Sequence, residues 1–150
     1  MRVLARTSHV AGRRIVLLSL AVGLALSAGG SGPSPSLPPV SAPPEVVLDS
    51  YLRALVNGDC TTAGAFAVGT FTAFNGDLCG SVTVTAYRIE GNNLDGIGRR
   101  VEDASEVVYA TMITTKGGGP ELPDGNHTWF YSLDRQPDGS WRLAGGGTGP

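Results

Sequence analysis

The sequence contains few of the residues that build metal centres and catalytic sites. It has two cysteines, Cys60 and Cys79, and two histidines in 150 residues, and one histidine lies within the first 30. The rest of the chain therefore offers only His127 beside two thiols, whereas a protein metal site takes three or four ligands. A nucleophilic-serine elbow and a phosphate-binding glycine loop are also missing, so we expect no metal and no cofactor.

Acidic residues are absent from the first 30 positions, which carry four arginines. The chain has 11 basic and 13 acidic residues, so the remainder has 11 − 4 = 7 basic against 13 acidic ones, a balance of −6. A nucleic-acid binder neutralises phosphates with Lys and Arg. The acidic remainder therefore argues against a nucleic-acid partner.

The basic start leads into an uncharged apolar run, Ile15–Ala28, followed by small residues. This order is typical of a secretory signal. As a helix the run would reach about 21 Å, less than the ~30 Å hydrocarbon core of a bilayer. Residues 1–28 are thus predicted to be a signal peptide or an uncleaved membrane anchor, and both alternatives stay open. Only the anchor would attach the protein to a membrane.

A proline-rich segment comes next: residues 29–44 hold six of the ten prolines, with glycine and serine between them. Such a composition cannot bury a core and predicts a disordered linker. We therefore predict a linker over 29–43 and one folded domain over 44–150. The expected location is outside the cytosol, secreted or on the extracytoplasmic face of the cell membrane.

The domain opens with helical patterns and continues with strand patterns. Apolar residues recur at steps of three and four from Pro44 to a stop at Gly58, and Asp59 can cap a second helix, CTTAGAFAV. Alternating or β-branched segments predict strands at Val82–Glu90, 106–115, 127–135 and 140–146, with a tight hairpin turn at QPDG. Helices before antiparallel strands indicate an α+β fold.

The two cysteines are separated by eighteen residues, which argues against a Cys-x-x-Cys redox pair. An oxidising space outside the cytosol favours a disulfide between Cys60 and Cys79. In the chain-entropy model, closing a loop of roughly twenty residues stabilises a domain by about 3 kcal/mol. We therefore interpret this pair as a structural crosslink.

Three features together resemble the nuclear transport factor 2-like (cystatin-like α+β) superfamily, in particular its secreted or membrane-tethered actinobacterial members. They are Gly58-Asp59 after the helix EVVLDSYLRALVN, the cysteine pair, and the terminal DGSWRLAGGGTGP. The resemblance covers about residues 44–150. It implies a cone-like α+β roll, in which a curved antiparallel sheet wraps the first helix, often with a cavity and frequently as a homodimer. It does not imply one activity.

An isomerase-type site would need a carboxylate base and a hydrogen-bond donor inside such a cone. Asp134 and Tyr131 lie on one predicted strand, but strand alternation points them to opposite faces. His127 follows a loop, where an exposed histidine is the commoner explanation. We therefore assign no catalytic residue.

The aromatic residues mostly indicate a core, and the sheet has two faces, one of which can meet a ligand or partner. Tyr109, Trp129 and Tyr131 are the candidates for a cavity or interface. Strand alternation leaves two sets of residues as the alternative outward face of the sheet and does not decide between them. These sets are Trp129/Tyr131/Leu133 and Val108/Ala110/Met112.

These features predict an exported, non-catalytic binding or protein-interaction domain of a bacterial cell envelope. Its partner would be an envelope protein or a small apolar ligand. The alternative is a small isomerase- or cyclase-like enzyme, or a carrier of lipophilic ligands, that uses the cone cavity. A filled interior would favour the first, and a pocket with a buried carboxylate would favour the second.

Overall fold

The computed structural model describes residue 33 and residues 35–149. The predicted signal or anchor, residues 1–28, lies outside this part of the chain. The described linker residues form no helix or strand up to Pro43. Ala42 is buried, and its N–H donates to the Pro39 carbonyl oxygen at 2.8 Å. Contacts with the domain core therefore begin just before the first helix.

Two helices precede four strands. The elements are helix α1 (Pro44–Val56), helix α2 (Cys60–Ala65) and strands β1 (Thr83–Asn92), β2 (Glu106–Lys116), β3 (Gly125–Arg135) and β4 (Trp141–Gly147), with short 3₁₀ turns at Ala73–Asn75 and Val101–Asp103. The strands form one antiparallel sheet in the order β1-β2-β3-β4. The coarse prediction of a small α+β domain is confirmed.

Helix α1 forms the base of the core. Pro44 occupies its first turn, where the missing N–H of proline costs no hydrogen bond. Its buried stripe includes Leu48, Tyr51 and Leu52, which recur at helical spacing. The chain leaves the helix at Gly58, whose φ of +69° suits glycine. This helix contacts β1 and β4, the two edge strands of the sheet.

Helix α2 is shorter than its sequence predicts. Asp59 caps it by accepting hydrogen bonds from the Thr62 N–H (2.9 Å) and the Thr62 hydroxyl (2.7 Å). The predicted helix runs to Val68, but the observed one ends at Ala65. The reason is pairing with β4: the Leu143 N–H donates to the Phe66 carbonyl, and the Val68 N–H donates to the Leu143 carbonyl. Tertiary pairing therefore overrides the local helical pattern.

The sheet has one face against the helices and one face away from them. Tyr131 and Leu133 are fully buried on the inner face, and Trp129 shares it. Val108, Ala110 and Met112 lie on the other face and are half-buried. The structure thus decides between the two alternatives that strand alternation left open.

The β3–β4 hairpin closes through the predicted turn. Its backbone bonds run from Gly139 N–H to the Gln136 carbonyl (2.9 Å) and from Gln136 N–H to the Ser140 carbonyl (2.7 Å). The Asp138 carboxylate accepts from the Ser140 hydroxyl at 2.7 Å and from its N–H at 2.9 Å, which lowers the pKa of Asp138. Side chain and backbone thus specify the turn together.

Candidate functional site

The structure contains the Cys60–Cys79 disulfide, with the two Cα atoms 5.5 Å apart. Cys60 opens α2, and Cys79 lies in the loop that leads to β1. The bond therefore closes the segment 60–79 and fixes the loop 66–82 against α2.

Asp77 organises the same loop from inside. Its Oδ1 accepts a hydrogen bond from the Cys79 N–H at 3.0 Å and another from the Tyr51 hydroxyl at 2.9 Å. Tyr51 belongs to α1, so this carboxylate joins the loop to the first helix. Neither bond involves a basic residue, and within the described chain Asp77 takes part in no salt bridge.

A pair of buried tyrosines lies beneath Asp77. The Tyr51 and Tyr131 rings meet edge to face, with centroids 5.5 Å apart. Burial raises the pKa of Tyr51, and the neighbouring Tyr131 and Asp77 raise it further. Burial also raises the pKa of Tyr131, and Tyr51 lowers it by a smaller amount. The Tyr131 hydroxyl has no hydrogen bond of normal geometry within the described residues. Both side chains therefore stay protonated at neutral pH, and Tyr51 donates a hydrogen bond to Asp77.

A groove of about 700 Å³ opens between the loop 66–82 and the loop after β2. This volume falls within the roughly 300–1,000 Å³ of small-molecule sites. The residues that line it come from these two loops, from β3 and β4, and from the position after β4. They are Ala73, Phe74, Gly76, Asp77, Leu78, Ser81, Val82, Gly118, Gly119, Pro120, Glu121, Leu122, Trp129, Gly146, Gly147 and Thr148. We call this feature the loop groove.

Two aromatic residues of the loop groove are unusual. The Phe74 side chain is fully exposed, although phenylalanine is normally packed. The indole Nε1 of Trp129 is buried and has no hydrogen-bond partner in the part of the chain described. Buried polar groups without partners are rare in native proteins and call for an explanation. Both features distinguish this groove from the other surface depressions of the described chain.

A close contact between two glycines forms part of the groove's wall. Gly76 has φ +94°, and a Cβ at this position would overlap the Gly146 carbonyl of β4. Gly146 in turn lies against the Trp129 indole nitrogen. Only glycines allow the loop to approach the strand this closely.

The predicted cavity or interface residues separate in the structure. Trp129 lines the loop groove, whereas Tyr131 and Tyr109 are buried in the core. Burial, together with the nearby Glu45 and Asp95, raises the pKa of Tyr109 to about 12. Of the three candidates, only Trp129 is therefore placed to meet a ligand.

No convergent catalytic set forms among the described residues. Asp134 and Tyr131 lie on opposite faces of the sheet, as strand alternation predicts. His127 is engaged through Nε2 with the Pro123 carbonyl oxygen at 2.7 Å. Within the described chain, no Asp or Glu is fully buried, and no three metal-ligating side chains come together.

Phe74, Asp77 and Gly146 were not predicted from the sequence as site residues. A signal existed in FNGD (74–77), where an Asn-Gly turn exposes the phenylalanine before it and an acidic residue follows. The approach of Gly76 to Gly146 joins segments 70 residues apart, so no local pattern could reveal it.

No helix in the described part of the chain has the length and apolar character needed to cross a bilayer. No protein-family model matches the sequence, and no curated protein does so. A solved structure that it does match is that of RPA3114, a SEC-C motif containing protein from Rhodopseudomonas palustris. The TM-score is 0.51 at 16% identity, over 75% of this chain and 83% of that one. At this identity the likeness concerns the fold alone.

The match corrects the family resemblance. The predicted membership of the nuclear transport factor 2-like, cystatin-like superfamily is wrong, because the matching fold is that of a SEC-C motif protein. The features behind the resemblance explain the error physically. Gly58-Asp59 encodes a helix stop and cap, the cysteines a crosslink, and DGSWRL a hairpin. Many α+β folds need these local devices, so together they specify no superfamily.

Proposed function

We propose that this protein is an exported, non-catalytic binding domain of a bacterial cell envelope, and that its ligand occupies the loop groove. The observation that carries the proposal is an open groove with a fully exposed Phe74, on a loop that the disulfide and Asp77 hold in place. Unlike a mobile surface loop, a loop fixed at several points can present a preformed site.

The interior gives the alternative, an enzyme or carrier with an internal cavity, less support. Large side chains fill the space between α1 and the sheet, among them Tyr51, Phe66 and Tyr131. Asp77, a carboxylate that reaches this interior through Tyr51, accepts two structural hydrogen bonds. A general base needs an acceptor oxygen within hydrogen-bond reach of the substrate proton, and Oδ1 of Asp77 already binds two groups of the protein itself.

Export and the finer fold description are part of the proposal. A disulfide is compatible with an extracytoplasmic location, because cytosolic thiols are normally kept reduced. The basic, apolar and proline-rich start of the sequence supports a signal or anchor followed by a linker. Contact of α1 with both edge strands supports a sheet that curves around this helix. An envelope protein as partner, and a homodimer, stay predictions.

Localisation tests the export half of the proposal. The untagged full chain, in its own host, should fractionate outside the cytosol and resist thiol alkylation until it is reduced. Recovery from the cytosol with both thiols free would refute export.

Native mass spectrometry of the same material tests the binding half. We expect a bound small molecule that Gly119→Phe removes and Gly69→Phe retains. A Cβ at either glycine meets no atom within 4 Å, but only Gly119 lines the loop groove. Equal retention in both variants, or no bound molecule at all, would refute the groove as the binding site.

A further inference from the structure

The charges around the loop groove are of one sign. Its charged lining residues are Asp77 and Glu121, and no Lys, Arg or His lines it. Neither carboxylate forms a salt bridge within the described chain, although three such bridges occur elsewhere in it. The two carboxylates would repel an anionic ligand, and no basic residue of the groove would offset this repulsion. A cationic ligand would instead meet two carboxylates that have no ion-pair partner.

Asp77 is suited to hold a charge towards a ligand. Both of its hydrogen bonds are accepted by Oδ1, from Tyr51 and from Cys79. These donors fix the carboxylate's orientation without neutralising it, because neither is a cation. Asp77 is also half-buried, so its attraction for a ligand is screened less than that of a fully exposed carboxylate.

The remaining lining is aromatic and aliphatic. Phe74 and Trp129 supply ring surface, and Leu78, Val82 and Leu122 supply aliphatic surface. Aromatic faces attract ammonium groups through the ring quadrupole, and this attraction is strongest where water is partly excluded. Aromatic rings and unpaired carboxylates in one groove form a combination that recognises organic cations.

We propose that the loop groove binds a small organic cation, an ammonium or quaternary ammonium group on a short apolar body. The inference rests on the proposed function and names its ligand class. The acidic remainder of the chain, with its balance of −6, adds long-range attraction for such a cation.

A pair of isosteric probes isolates the charge. Choline and 3,3-dimethyl-1-butanol have the same shape, but only choline carries a positive nitrogen. Each would be titrated into ¹⁵N-labelled protein while the indole N–H signal of Trp129 is followed; Trp141→Phe assigns that signal, because the chain has two tryptophans. We expect saturable shifts with choline and at least about tenfold weaker binding of the alcohol.

Matched variants test the named side chains. Asp77→Asn keeps an oxygen acceptor for Tyr51 and removes the charge, so it should weaken choline binding several-fold and leave the fold intact. Glu121→Gln should act in the same direction, and Asp103→Asn, an exposed acid outside the groove, should have no effect.

The aromatic contribution has its own control. Phe74→Ala should weaken choline binding without lowering stability, because the ring is fully exposed. Ile97→Ala removes another exposed apolar side chain that does not line the groove, and it should change neither property.

The outcomes separate this inference from the proposed function. Choline binding that depends on Asp77 and Phe74 and is salt-sensitive supports it. Equal affinity for the alcohol, or affinity unchanged in Asp77→Asn, overturns the cation class and leaves the groove as a site for neutral ligands. No shift with either probe also overturns the cation class, while the Gly119/Gly69 comparison still decides whether the groove binds anything.

Discussion

Removal of the disulfide gives the most direct test of how the loop 66–82 is held. In Cys60→Ala/Cys79→Ala the sulfurs are lost, but little packing is, because Cys60 is exposed and Cys79 is only half-buried. The loss of stability should therefore come from the unfolded chain, which regains conformational freedom because the two cysteines, 19 positions apart, are no longer linked. In the chain-entropy model that freedom corresponds to about 3 kcal/mol.

Such a loss is large for a domain of this size. Total stabilities are typically about 5–15 kcal/mol, so the variant should retain its fold at room temperature with a much smaller margin. With about 4–8 °C per kcal/mol for a domain of 60–100 residues, the melting temperature should fall by roughly 12–25 °C. Urea unfolding followed by tryptophan fluorescence measures the free energy directly.

Reductant supplies the control. Dithiothreitol should lower the stability of the wild-type protein to that of the double variant and should leave the variant unchanged. A difference between the oxidised wild type and the variant below about 1 kcal/mol would refute the entropic argument, since loop closure predicts three times as much.

Two further contrasts test the contacts beneath the groove. Tyr51→Phe removes a hydrogen bond to a carboxylate and should lower the free energy of unfolding in urea by about 1.5–3 kcal/mol. Tyr131→Phe removes an unpartnered hydroxyl and should leave this free energy unchanged or raise it by about 1 kcal/mol. Equal losses of unfolding free energy in the two variants would contradict this assignment. Gly76→Ala forces both a left-handed backbone and an overlap with β4, and should cost at least about 3 kcal/mol. Gly58→Ala meets only the backbone strain and should cost about 1–2 kcal/mol, so similar melting temperatures for the two variants would refute the close contact.

The sequence predicted those parts of the fold that local chemistry decides. Helix α1 has an apolar stripe and a proline start, α2 has the Asp59 cap, and the last hairpin has a Pro-Asp-Gly turn. Each signal acts within a few residues of its effect, so it could be read without knowing the rest of the chain. The predicted length of α2 was wrong because Phe66 and Val68 pair with β4, which lies about 75 residues further along the chain.

The candidate site lies beyond such local signals. Its walls come from the loop 66–82, the loop after β2 and the end of β4, and only the folded topology brings these three segments together. Strand alternation did place Trp129 and Tyr131 on one face, but it could not show that one lines a groove and the other fills the core. The decisive contact, Gly76 against Gly146, has no counterpart in either segment's own pattern.

The contacts that fix the loop also connect the disulfide with the proposed binding site. Phe74 lies within the segment 60–79 that the disulfide closes, two residues before Gly76, which touches β4. Asp77 bonds to the Cys79 N–H, so the orientation of its carboxylate depends on the residue that carries the crosslink. Breaking the disulfide should therefore hold Asp77 and Phe74 less firmly in the folded protein, although neither sulfur needs to touch a ligand. Because a preformed site binds more tightly than one that must be ordered, a reduced protein should bind choline more weakly while the sheet remains folded.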